Sequence, residues 1–137
     1  MKLYELRRED KMREARNWFI SFFPESVDDI MSAMIDESTS ANYRMVSSYW
    51  DMAASFVVLD AIDEGLFMAS AGEAWVVFAK LQPFVVDLRE RMGNPNMLKH
   101  LEELLMRQPN AEDTLKNRRE TMKRWMEARA AMKQASA

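Results

Sequence analysis

Few residues in this chain are of the types and spacing that do chemistry. His100 is the sole histidine and there is no cysteine. That excludes disulfides, thiolate chemistry and any metal cluster built on several imidazoles. The di-iron bundle signature needs Glu-x-x-His twice, and the residue three before His100 is Met97. His100 is expected at the rim of a short amphipathic helix. A serine nucleophile would have that one histidine as its only imidazole base. No glycine-rich phosphate loop is present.

The densest carboxylates are Asp60, Asp63 and Glu64. On a helix Asp60 lies within one turn of both others. Such a group could hold a hard divalent ion or raise a carboxyl pKa. It also falls near a helix C-terminus, where negative charge is unfavourable. Asp60 follows the apolar run Phe56 to Leu59, so partial burial is expected, with Arg89 or Arg91 as the compensating cation. The expectation is a structural ion pair, with no catalytic residue, metal or cofactor.

These side chains must be positioned by helices. The chain has three glycines and four prolines in 137 residues, and nearly all fall where a helix should start or stop. The spacing predicts an all-α, single-domain bundle of five or six helices spanning 1–137, with a flexible extreme C-terminus. A first helix runs from about Lys2 to Phe23, closed by Pro24. A second is capped by Ser26 and Asp29, and Thr39 or Ser40 caps the next. The third, about 41–64, is apolar on most sides and should be the buried centre, with Gly65 as its left-handed stop. Ser70 and Glu73 spell a capping box for a fourth helix, kinked or broken at Pro83, which removes the bond to the carbonyl of Ala79. Asn94-Pro95 opens a short fifth helix. A final helix covers about 111–134.

The stretch from Tyr49-Trp50 through Ile62-Asp63-Glu64-Gly65-Leu66-Phe67 to Trp75 and Arg89 is about a third of the chain. It resembles small all-helical bacterial proteins of unknown function. The resemblance implies a bundle in which Asp63 organises the turn between two core helices, and it carries no activity.

Net charge is -3, unevenly spread. Residues 1–16 sum to +2, residues 25–73 to -9 and residues 112–133 to +3. The N-terminus is charged and has no apolar run, so it does not read as a secretory signal. No apolar run is long enough to span a bilayer. The final helix scatters its basic residues nearly all round, unlike a nucleic-acid helix. The chain is therefore expected to be cytoplasmic, with neither a membrane nor a nucleic acid as partner.

The leading functional expectation is a non-enzymatic interaction or scaffold module that self-associates, most simply as a homodimer. Trp18, Phe22, Met122, Trp125 and Met126 on the terminal helices are the candidate interface, and the acidic segment 25–73 is a candidate surface for a protein partner. The alternative is a binder of an apolar small ligand between core helices, lined by Tyr49, Trp50, Phe56, Trp75 and Phe78. Thirteen methionines suit either a packed helical core or an adaptable groove. A carboxylate-metal enzyme using Asp60, Asp63 and Glu64 ranks third.

Overall fold

The computed structural model describes Leu3 and residues 9–136. Among these the chain forms eight α-helices and no strand. They are α1 (Asp10–Ser21), α2 (Val27–Ile35), α3 (Ser40–Val58), α4 (Glu64–Met68), α5 (Gly72–Leu81), α6 (Val85–Met92), α7 (Lys99–Met106) and α8 (Ala111–Ala135), with a 3-10 turn at Gln82–Phe84. Of the expected first helix, Lys2 and Tyr4 to Arg8 lie outside the described residues.

Helix α3 is the centre. It packs against α1, α2, α4, α5 and α7, and Tyr43, Val46, Ser47, Tyr49, Trp50, Ala53, Ala54 and Val57 are buried on it. Ser47 is tolerated there because its hydroxyl donates to the carbonyl of Tyr43 at 2.8 Å. Helix α1 lays Met12, Ala15 and Phe19 on the core. Trp18 stacks on Phe22 with ring centroids 4.7 Å apart, and Phe22 meets Tyr43 edge-on.

The expected helix over 41–64 is too long by six residues. It stops at Val58 because Asp60, not Gly65, takes the left-handed conformation, with φ 63°. The N–H of Asp60 donates to Val57 O at 3.0 Å and that of Ala61 to Phe56 O at 2.7 Å. This is the Schellman closure, made with an aspartate where glycine is usual. Gly65 lies inside the short α4. Asp63 caps that helix by accepting the N–H of Leu66 at 2.9 Å, the turn-organising role read for it.

Two other expected caps differ. Ser70 does not cap α5, whose N-cap is Ala71, and Glu73, half-buried, bonds Arg16 and Trp50 instead. Helix α7 begins at Lys99 after a turn at Leu98 with φ 58°, not directly after Pro95. Its N-terminus is capped from another helix: Oδ1 of Asp51 on α3 accepts the N–H of Leu101 at 3.0 Å. The Ser26 cap is as expected, accepting from the Asp29 N–H at 3.2 Å. Asp29 answers by accepting the N–H of Glu25 at 2.8 Å. The extra break after Val58 and the full break at Pro83 raise the helix count above six.

The break at Pro83 has a structural consequence. Proline cannot donate to Ala79 O, and that carbonyl is taken by Nη1 of Arg119 at 3.0 Å. Arg119 also reaches Oε1 of Gln82 at 3.2 Å. The proline therefore frees an acceptor on α5, and α8 docks by supplying the donor.

Candidate functional site

Three polar constructions organise the bundle, and sequence reading singled out none of them. The first is Glu73. Its carboxylate accepts from Nε and Nη2 of Arg16, with distances of 2.7–3.1 Å, and from the indole N–H of Trp50 at 3.1 Å. One carboxylate thus ties α1, α3 and α5 together. The bidentate bonds raise the Arg16 pKa. The second is Asp51, which joins α3 to α7 and lies 3.8 Å from Nδ1 of His100. His100 sits at the rim of α7, as its spacing suggested.

The third is Lys80, a charged residue with 4% of its surface exposed. Its Nζ donates to the carbonyls of Phe19 at 2.7 Å and Ile20 at 3.0 Å. These lie at the C-terminal end of α1, where a cation also meets the negative end of the helix dipole. The ammonium lies 4.2 Å from the centroid of the Phe23 ring. Burial pulls the Lys80 pKa down to about 8. Lys80 also lines a cavity of about 170 Å³ with Phe23, Pro24, Glu25, Pro83, Phe84, Arg119 and Lys123.

The carboxylates read from sequence part company. Asp60 and Asp63 are exposed at the α3–α4 turn. Glu64 bonds Arg107 and accepts from Nε2 of Gln108 at 2.7 Å, and those bonds lower its pKa. The expected pairing of Asp60 with Arg89 or Arg91 is not made. Arg89 is buried, donates to Met97 O at 2.8 Å and pairs with Glu102 at 3.2 Å, while Arg91 pairs with Asp28 and Asp87. The reason is the stop at Val58, which turns Asp60 outward. Among the described residues no group of three or more His, Asp or Glu is placed to hold a metal.

The expected apolar lining is also dispersed. Trp50, Trp75 and Phe78 are buried in the core, whereas Phe56 is exposed. Tyr49 borders an open groove with Met12, Met45, Ser48 and Met52, and its hydroxyl donates to Leu3 O at 3.0 Å. The five do not converge on one ligand.

The candidate interface splits by helix. Trp18 and Phe22 are half-buried against the core. Helix α8 is different. Its 25 residues span about 37 Å, but only Ala111 and Leu115 are buried. Met122 and Met126 are half-buried, Trp125 is 49% and Met132 72% exposed, and every residue from Glu127 to Ser136 is exposed. Arg129 lies over the Trp125 ring, 5.5 Å from its centroid. The distal half of α8 therefore projects from the bundle with an apolar stripe along it. No helix among the described residues is long and apolar enough to cross a membrane.

The fold and these contacts define a small helical bundle held by buried and partly buried polar ties, with one projecting basic helix. Compared with known families, residues 1–108 match the model of a domain of unknown function, DUF4760, and the chain belongs to that family. No curated protein and no solved structure matches it. The match covers α1 to α7 and ends before α8.

Proposed function

We propose that the chain is a helical interaction module that self-associates. The distal half of α8 from one copy lies on the acidic α3–α4 turn of another. The observation that carries this reading is the projection of α8: its stripe of Met122, Trp125, Met126 and Met132 runs off the bundle with solvent on every side beyond Met126. Half a helix without tertiary packing is only marginally stable, and a lone stripe of this kind is the usual sign of a docking face.

Charge complementarity supports a second copy as the occupant. From Lys116 to Lys133 the helix carries seven Lys/Arg and two Glu, whereas residues 25–73 carry ten Asp/Glu and one Arg. Within that acidic segment the α3–α4 turn exposes Leu59 at 72% and Leu66 at 69%, beside Phe56, Asp60 and Asp63. Apolar side chains rimmed by carboxylates suit a helix of methionine, tryptophan and lysine. Reciprocal docking of two arms gives a closed, isologous dimer.

Light scattering at low micromolar concentration tests the reading. The wild-type chain should have twice its monomer mass, and Trp125→Glu combined with Met132→Glu should halve it. Asp60→Lys should weaken the dimer, and Lys133→Glu should partly restore it. A wild-type chain that stays monomeric across the concentration series would overturn the proposal.

A further inference from the structure

The cavity between the Phe23–Glu25 turn, the Pro83 break and α8 differs from the docking face in both shape and chemistry. Its walls are Phe23, Pro24, Pro83 and Phe84, and its volume is about 170 Å³. An apolar cavity of about 150 Å³ is enough to hold a benzene ring. Three cations line it: Lys80, Arg119 and Lys123. None of the three makes an ion pair among the described residues. The one carboxylate on the rim, Glu25, makes no ion pair with them either.

A buried ammonium without a counter-ion is costly. Lys80 is partnered only by two carbonyls and a ring face. Arg119 has Nη1 committed to Ala79 O and Gln82, which fixes the guanidinium at the cavity edge. Lys80 and Arg119 keep further N–H donors and Lys123 makes no ion pair, so the site suits an anion, and its apolar walls suit an organic carboxylate better than a free phosphate. We propose that this cavity binds a small aromatic or branched-chain carboxylate, with its apolar body between Phe23, Pro83 and Phe84 and its carboxylate at Lys80, Arg119 and Lys123. Two of these residues, Arg119 and Lys123, lie on α8, beyond the family-matched segment. It is independent of self-association.

Titration calorimetry and amide chemical-shift mapping on the full chain test this, with phenylacetate, acetate and benzyl alcohol as probes. Phenylacetate should bind saturably, with shifts grouped at Lys80, Phe84 and Lys123. Acetate lacks the body and benzyl alcohol the charge, and each should bind at least tenfold more weakly. Lys123→Glu, at an exposed position, should weaken phenylacetate about tenfold or more and leave the thermal midpoint within a few degrees. Equal binding of the alcohol and the acid, or unchanged affinity in Lys123→Glu, would overturn the proposal. So would shifts scattered away from the cavity.

Discussion

Stability should rise between pH 7 and 9.5, and Lys80 should be the cause. Its ammonium is buried, and two carbonyl acceptors do not replace the water it gives up, so its pKa falls from 10.5 to about 8. A base with a lower pKa in the fold than in the unfolded chain is held less well in the fold. Below about pH 8 both states are protonated, and the full penalty is present. Between about 8 and 10.5 the unfolded chain binds more proton, so unfolding free energy climbs with pH. The whole gap is worth about 3 kcal/mol, and about 2 kcal/mol of that returns between pH 7 and 9.5. Tyr43 sets the upper limit. Burial pushes its phenol up to about 12, so the unfolded chain releases that proton first and stability falls above about pH 10. Urea unfolding of wild type and Lys80→Met at pH 7, 8, 9 and 9.5 isolates the lysine, because surface groups cancel in the difference. The difference should move toward wild type by about 2 kcal/mol over that range. A constant difference, or one moving toward the methionine variant, would refute the reasoning.

Glu73→Ala should cost about 2–4 kcal/mol, because it strands Arg16 and the Trp50 N–H together. Glu73→Gln keeps an acceptor and should cost less than half as much, and equal costs in thermal unfolding would contradict the shared tie. Asp60→Gly should stabilise by about 0.5–1 kcal/mol, because glycine takes the left-handed stop without strain, whereas Asp60→Ala should not stabilise. Arg119→Met should cost about 1–3 kcal/mol by orphaning Ala79 O. That cost should shrink by at least half in a Pro83→Ala background, where residue 83 regains its N–H. Strict additivity in the double-mutant cycle would mean that the two residues do not share the carbonyl.

The all-helical class and the helix order were largely legible because apolar spacing is a local signal and the core obeys it. Trp50, Phe78, Leu88, Leu101 and Leu115 are all buried as their faces required. The stop of α3 was not legible. Glycine is the usual left-handed residue, and nothing local marks Asp60 as the one that turns; the Phe56 carbonyl shared by Ala61 and Ile62 shows it only in three dimensions. Glu73 read as a capping residue because the Ser70-x-x-Glu73 spacing was right, but Arg16 lies 57 positions away and its pull is invisible to any short window. Asp51 shares a narrow polar stripe of α3 with Arg44, Ser48 and Ser55, so nothing local marked its tie to α7. Lys80 carried a visible hint as the one charge in the apolar stretch Trp75 to Leu81. A lone charge in a buried stripe is a sign of a long-range partner, though not of which one. The cavity could not be read at all, since its walls come from three distant segments.

In the proposed dimer the projecting half of α8 meets the acidic turn of another copy. Because the chain has no cysteine, Ala128→Cys gives a single attachment point for a spin label on the exposed arm. Mixing labelled, isotopically silent chain with unlabelled ¹⁵N chain restricts the readout to contacts between copies. Amides from Phe56 to Leu66 in the ¹⁵N copy should broaden strongly, and Trp125→Glu in the labelled copy should remove the effect. Absence of intermolecular broadening, or broadening confined to other helices, would contradict the proposed dimer.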